Sequence, residues 1–278
     1  MKIHKAVITA AGSDQRHLPL QTIVSASGET KPAIQLLLDE IFAAGIRYAA
    51  LIVAPGQTEA FRAAVGGHLP QIEFIEQPEP LGYGHAVLCA KDFTGTEAFL
   101  LLVSDHLYLS NGEVSCVKQL LETGKREECA VSAVQATREG KLPYYGAVGG
   151  KHIPGSRDLY HIENILEKPT PTVAEQELIT PGLRQGHYLC FFGMHVLTAT
   201  TMRLLEEALE TSGKNLPLTP SLAAAAKSER HLAFEIAGQR YNIGEPYGLL
   251  RAQLAMALAG PQRDEILTML VELMATSR

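Results

Sequence analysis

Short apolar runs recur along the chain and alternate with stretches whose apolar positions return at three- and four-residue spacing. Residues 6–10 make the first run. In 33–44, Ile34, Leu37, Leu38, Ile41 and Phe42 share one helical stripe that stops at Gly45. YAALIVA (48–54) reads as the next strand, followed by a helix over 57–65 and a short strand at 72–76. A helix opens within 84–90 after a glycine-rich turn, and AFLLLV (98–103) is apolar throughout. A strand in the middle of a parallel sheet reads this way, because helices cover both of its faces. Strands alternating with helices up to residue 137 imply βαβ units. The expected fold class is therefore α/β, with a doubly wound, mostly parallel mixed sheet.

The second half mixes the two periods. Strands are expected at 144–150, 159–167 and 188–196, with helices at 202–210 and 220–228. Segments 234–236 and 240–243 are expected to form a hairpin across Ala237, Gly238 and Gln239. Helices over 247–259 and 263–274 close the chain. No repeat, low-complexity tract or long linker interrupts the pattern. A single domain over 1–278 is expected, in three parts: 1–137, a sheet-rich extension over 138–245, and C-terminal helices over 246–278.

Composition narrows the classes. The chain has 278 residues, 46% hydrophobic and 19% charged, which is ordinary for a soluble globular protein. A formal charge of −6 argues against a non-specific nucleic-acid binder, which needs a basic face. The four cysteines (Cys89, Cys116, Cys129, Cys190) have no spacing suited to zinc and read as reduced thiols. No apolar run approaches the roughly 20 residues that span a bilayer, and the N-terminus leads straight into a strand. A cytoplasmic protein is expected. The tail stripe Ile266, Leu267, Leu270 and Leu273 either joins copies into a homo-oligomer or covers the chain's own core.

Five constellations carry chemical meaning. The turn after residue 10 holds Ala11, Gly12 and Arg16. Backbone N–H groups and a guanidinium at the carboxyl end of a strand suit phosphate oxygens, although an ordinary βα connection would look similar. In QPEPLGYGHAV (77–87), Gln77 offers both a donor and an acceptor for a base edge. Gly82 and Gly84 allow a close backbone approach, to a ligand or within a tight turn. Asp105 follows the AFLLLV run, where it could ligate Mg²⁺ or serve as a loop aspartate. Glu167 and Lys168 pair a carboxylate with an ammonium before Pro169, a sugar-phosphate contact or a solvated surface pair. RYNIGEPY (240–247) places Asn242 at a strand end.

In order and spacing these pieces resemble the sugar-phosphate nucleotidyltransferases, and most of all their UTP–glucose-1-phosphate uridylyltransferase branch. The matching stretches are AAGSDQRHLP, KPAIQLLLDEIFAAGI, EQPEPLGYGHAVLCAKDF, SDHL, YGAV, LEKPTPTVAE, FFGMHVL, GKNLPLT and RYNIGEPYGLLRAQLAMAL. They cover residues 5–258, and QPEPLGYGHAVLCAK is the most specific. The resemblance implies a Rossmann-like nucleotidyltransferase fold whose extension binds sugar. It implies transfer of a nucleotidyl group, from UTP, to a sugar 1-phosphate, glucose 1-phosphate foremost, with release of pyrophosphate. Ala11, Gly12, Gln77 and Gly82 would bind the nucleotide. Gly146, Glu167 and Lys168 would hold the sugar phosphate, with Arg16, Asp105 and Lys168 catalytic. Mg²⁺ would be the cofactor, on Asp105 and Asn242.

The chain departs from the family pattern in places. Asp14 and Gln15 stand where the family loop has a glycine and a threonine. Residues 20–30 contain no lysine or arginine where the family has a phosphate-binding lysine, and Lys31 aligns with a later one. Asn242 replaces a metal-binding aspartate, and Pro220 another aspartate. Losing charged contacts to a transferring phosphoryl group costs about 10²–10³ in rate apiece. Two functions are consistent with the sequence: a uridylyltransferase-like enzyme, or a relative that binds a nucleotide or nucleotide sugar in a regulatory role without efficient turnover.

Overall fold

The computed structural model describes residues 1–13, 16–212 and 215–276. β1 (Ile3–Thr9) is followed by a small hairpin, β2 (Thr22–Val24) and β3 (Thr30–Pro32), and then by α1 (Ala33–Ala43). Next come β4 (Tyr48–Val53), α2 (Thr58–Ala64), β5 (Ile72–Glu76), α3 (Tyr83–Leu88), α4 (Lys91–Thr94) and β6 (Ala98–Val103). β7 (His106–Ser110), α5 (Cys116–Glu127) and β8 (Ala130–Arg138) complete the first half. The second half runs β9 (Gly146–His152), β10 (Leu159–Glu167), α6 (Pro171–Glu177), β11 (His187–Leu197), α7 (Ala199–Ser212) and α8 (Leu218–Ser228). β12 (His231–Glu235), β13 (Gly238–Asn242), α9 (Gly248–Ala259) and α10 (Arg263–Thr276) end it.

The central strands explain their own composition. Ala98, Leu100 and Leu102 of β6 pack on one side with Ile34, Leu37, Leu38 and Ile41 of α1 and Val117, Leu120 and Leu121 of α5. Phe99 and Leu101 pack on the other with Val87 of α3, Met202 and Leu205 of α7 and Leu222 of α8. Over residues 98–102 both faces of the strand are dry, which leaves no place for a polar side chain there; only Val103, at the strand's end, is half-buried.

Nine strands form one mixed sheet in the order β5-β4-β1-β6-β11-β8-β12-β10-β9. Pairing is parallel across β5-β4-β1-β6 and β8-β12, and antiparallel wherever β10 or β11 takes part. β11 is the hinge of this arrangement. Its residues 194–197 pair with β6, whereas Leu189 and Cys190 pair with β9 on the same edge. β9 and β10 therefore continue the sheet beyond the carboxyl end of β6. The register shifts between Phe191 and His195. Gly193 sits in that irregularity with φ +93°, and a Cβ there would lie 2.2 Å from Nδ1 of His106. A glycine inside an apolar strand marks this kind of close approach.

The hairpin expected across 237–239 does not form. β12 lies in the main sheet between β8 and β10, and β13 pairs antiparallel with β7 in a separate two-stranded ribbon. The register sets Asn242 opposite His106, and the Ile243 N–H donates to the Asp105 carbonyl at 2.8 Å. On α10, Ile266, Leu267 and Leu270 are half-buried, while Leu273 remains exposed. No helix among the described residues is long and apolar enough to cross a membrane.

Gly193→Ala is expected to lower stability by about 2 kcal/mol or more, since it forces a methyl onto the His106 ring in a left-handed backbone. Urea denaturation of the two proteins measures this; an unchanged midpoint would mean that Gly193 is not under steric constraint.

Candidate active site

A cleft of about 520 Å³ lies at the carboxyl ends of β1 and β6. Thr9 and Ala10 leave β1 on one side, and Val103 and Ser104 leave β6 on the other, joined by a bond from the Ser104 N–H to the Thr9 carbonyl at 3.2 Å. The far wall is built from the near ends of β9 and β10, where Gly146 pairs with Glu167. The structure brings Ala11, Gly12, Arg16, Gln77, Gly82, Asp105, Gly146, Glu167, Lys168 and Asn242 into this one cleft. Asp14 and Gln15 lie outside the described residues.

Each of these side chains has a local reason for its position. The turn after β1 closes through a bond from the Arg16 N–H to the Gly12 carbonyl at 2.9 Å. Nε of Arg16 is buried and has no hydrogen-bond partner among the described residues, so a donor is available to an incoming acceptor. Gln77 is 7% exposed, and its Nε2 donates to the Gly82 carbonyl at 3.2 Å and lies 3.1 Å from Nδ1 of His85. The amide is thereby fixed with Oε1 left to accept.

Gly82, which lines the cleft, and Gly84 also answer a need of the chain itself. A Cβ on Gly82, where φ is +108°, would meet Oδ1 of Asn215 at 2.7 Å; one on Gly84 would meet the Leu216 carbonyl at the same distance. The Leu216 N–H in turn donates to the Leu81 carbonyl at 2.6 Å. These glycines let residues 215–217 lie flat against the loop.

Asp105 is half-buried at the start of the β7–β13 ribbon, and its carboxylate has no hydrogen bond or ion pair among the described residues. Asn242, on the partner strand, accepts from the Gly244 N–H through Oδ1 at 2.8 Å. Glu167 accepts from the Thr219 hydroxyl at 2.6 Å, so one carboxylate oxygen is already oriented. Lys168 has a left-handed backbone, φ +44°, and its N–H donates to the Tyr145 carbonyl at 3.2 Å. A lysine held in that conformation ahead of a proline is strained, and such strain gathers at functional sites.

Sequence reasoning missed Thr219, Tyr145 and two cleft histidines, His106 and His195. Gly193 in the apolar run of β11 was the available signal for His106. His106 is buried, and that burial, opposed in part by Asp105, holds it below the usual histidine range, so it presents a neutral imidazole. Lys31, by contrast, lies away from the cleft, bonded to Asp39 at 3.0 Å and Glu29 at 2.8 Å. None of residues 17–32 lines the cleft.

Residues 5–257 match the Nucleotidyl transferase family. The chain belongs to that family. It is 27% identical over 300 residues to the UTP–glucose-1-phosphate uridylyltransferase of Streptococcus pneumoniae serotype 4, covering 98% of this chain and 96% of that relative. Two solved structures share the fold. A UDP-glucose pyrophosphorylase complexed with UDP-glucose superposes with a TM-score of 0.74 at 23% identity, over 91% of this chain and 98% of that one. The UTP-bound enzyme from Acinetobacter baumannii gives 0.73 at 25%, over 98% and 100%.

One feature within the nucleotidyl transferase sheet depends on pH. Ser132 is fully buried between His195 and His231, its Oγ 2.8 Å from Nδ1 of the first and 2.8 Å from Nε2 of the second. Burial depresses both imidazoles, His195 to about 3 and His231 to about 4. Above the unfolded value of about 6.5, neither state is protonated and stability does not depend on these groups. As pH falls below it, the unfolded chain takes up protons that the native chain refuses, so stability falls until about pH 3. Each histidine steepens the loss by up to about 1.4 kcal/mol per pH unit. Urea denaturation at pH 7 and pH 5 should show a smaller difference for His231→Asn than for the parent; equal differences would refute the assignment.

Proposed function

We propose that the cleft joins a nucleoside triphosphate, UTP, to a sugar 1-phosphate, glucose 1-phosphate, and releases pyrophosphate in the cytoplasm. The observation that carries this reading is the convergence of the β1 turn, the Gln77 loop, Asp105 and the Gly146–Glu167–Lys168 corner on one cavity. Family membership and the names of the relatives support it.

The chemistry needs little from the protein beyond placement and charge. An oxygen of the sugar phosphate attacks the α-phosphorus in line, the P–O bond to the β-phosphate breaks, and its electron pair leaves with pyrophosphate. Backbone N–H groups at Ala11 and Gly12 cradle the nucleotide, and Arg16 supplies its unpartnered donor to the triphosphate. Oε1 of Gln77 accepts from the imide N–H of uracil, the role its fixed amide leaves open, with Gly82 beside it. In the sheet-rich extension, the second oxygen of Glu167 addresses a sugar hydroxyl beside Gly146, and Lys168 meets the sugar's phosphate. Lys168 and Arg16 share the charge that spreads over the equatorial oxygens.

The donor set suits a hard divalent cation. No group of three or more His, Cys, Asp or Glu residues capable of holding a metal occurs among the described residues. Asp105, with its carboxylate unengaged, and Asn242, with a lone pair remaining on Oδ1, offer two oxygens on one ribbon. Mg²⁺ commonly takes one or two protein oxygens and completes its shell from phosphates and water. Bound there, Mg²⁺ would neutralise phosphate charge.

A second reading rests on two observations: none of residues 17–32 brings a cation into the cleft, and Asn242 is uncharged. In that reading the protein holds a nucleotide sugar without efficient turnover. Purified protein with UTP, glucose 1-phosphate and Mg²⁺ is expected to release pyrophosphate, and Asp105→Asn to slow it by about 10²–10³. Silence with all four common nucleotides and several sugar phosphates would overturn the enzymatic reading. If UDP-glucose still binds by calorimetry, the second reading stands in its place.

A further inference from the structure

A separate cavity of about 310 Å³ opens behind the cleft, between β8, β13 and the start of α9. Its charge is opposite to that of the chain as a whole. Arg138, Lys141, Arg240 and Arg251 line it against a single carboxylate, Glu245, in a protein of net charge −6. Glu245 is already committed. It accepts from Lys141 at 2.5 Å and from the Tyr145 hydroxyl at 2.5 Å, and lies 3.9 Å from Arg251. Burial pushes its carboxyl upward, but the Lys141 ammonium and the Tyr145 hydroxyl outweigh that and hold it below the usual range. Nothing is left over for the other two cations: neither Arg138 nor Arg240 has an ion pair among the described residues.

Arg240 is the telling residue. It is only 9% exposed, yet its guanidinium meets neutral partners alone: Oε1 of Gln135 at 3.3 Å, Oγ1 of Thr137 at 3.2 Å and the Tyr145 ring at 3.9 Å from its centroid. Its Nε is buried without a partner. A buried cation is normally paired, because removing it from water without a counter-charge is costly. A polar cavity beside it, with a free arginine at the rim and amide groups from Gln135 and Gln239, has the composition of an anion site.

We propose that this cavity binds the phosphoryl group of a small phosphorylated metabolite, separately from the nucleotide–sugar cleft. Carboxylates would be satisfied by one arginine; the spread of donors from three elements fits a tetrahedral, multiply charged group better. The two cavities share Tyr145 and Asn242 as a common wall. Arg240 stands two residues before Asn242 on β13, and its stacking partner Tyr145 precedes Gly146. An anion drawn onto Arg240 would therefore sit against residues that adjoin both the Asp105–Asn242 ribbon and the Gly146 corner.

Inorganic phosphate is the minimal probe, titrated by calorimetry into three full-length proteins: the parent, Arg138→Gln/Arg251→Gln in this cavity, and Arg16→Gln/Lys168→Gln in the main cleft. Arg138 and Arg251 are exposed, so their loss leaves the fold intact. The parent and the main-cleft variant are expected to bind phosphate alike, and the Arg138/Arg251 variant about tenfold or more weakly. Equal binding by the Arg138/Arg251 variant and the parent, loss of binding in the main-cleft variant instead, or no binding by the parent would each overturn the proposal. Because the readout is phosphate binding, it stands or falls independently of nucleotidyl transfer.

Discussion

β11 enters the sheet against the direction of its neighbours and serves two of them on one edge, β6 with its end and β9 with its beginning. That single pairing decides where the cleft can be, because it suspends the β9–β10 pair beyond the point where β6 stops. The bulge at Gly193 then admits the His106 ring, and His106 carries Asp105 into the space between the two halves. Remove the bulge and the ribbon of β7 and β13 loses its seat, taking Asp105 and Asn242 with it. The site is thus a consequence of sheet register more than of any loop.

Much of this was readable in the chain. AFLLLV announced a strand covered on both sides, and 72–76, 98–103 and 159–167 were placed to the residue. The strand tips, where chemistry gathers in open α/β sheets, could be marked by Ala11, Gly12 and Asp105. What was not readable is long-range pairing. β13 resembles half of a local hairpin, with Gly238 where a turn would be, but its hydrogen-bonding partner lies over a hundred residues earlier. Local pattern cannot express that. The glycines of the Gln77 loop were legible only in part: the sequence shows that backbone must come close, to a ligand or within the turn, and the structure adds that residues 215–217 are what lies against them. Thr219, which orients Glu167, closes the quoted GKNLPLT stretch, but nothing local marks it as a partner of Glu167, because a threonine in the first turn of a helix looks like many others.

The distribution of charge gives the protein its character. Among the described residues, Arg16 and Lys168 are the lysine and arginine side chains that line the main cleft, with the uncharged Asn242 on the ribbon that Asp105 begins. Other positive charge lies elsewhere: Lys31 is tied to Asp39 and Glu29, and four cations line the neighbouring cavity. In the proposed reaction, placement of substrates then carries more of the burden than neutralisation, and the two cavities meet at Tyr145 and Asn242. Geometry alone can contribute several orders of magnitude to a reaction of this kind.

The central claim is that one continuous cleft recognises a uridine nucleotide at the Gln77 loop and a sugar at the Gly146–Glu167 corner. A crystal structure with UDP-glucose tests this most directly. The uracil is expected against Oε1 of Gln77, the hexose beside Gly146 and Glu167, and the diphosphate between Arg16 and Lys168. A nucleotide bound in the reverse direction, or a cleft left empty at saturating ligand, would contradict it.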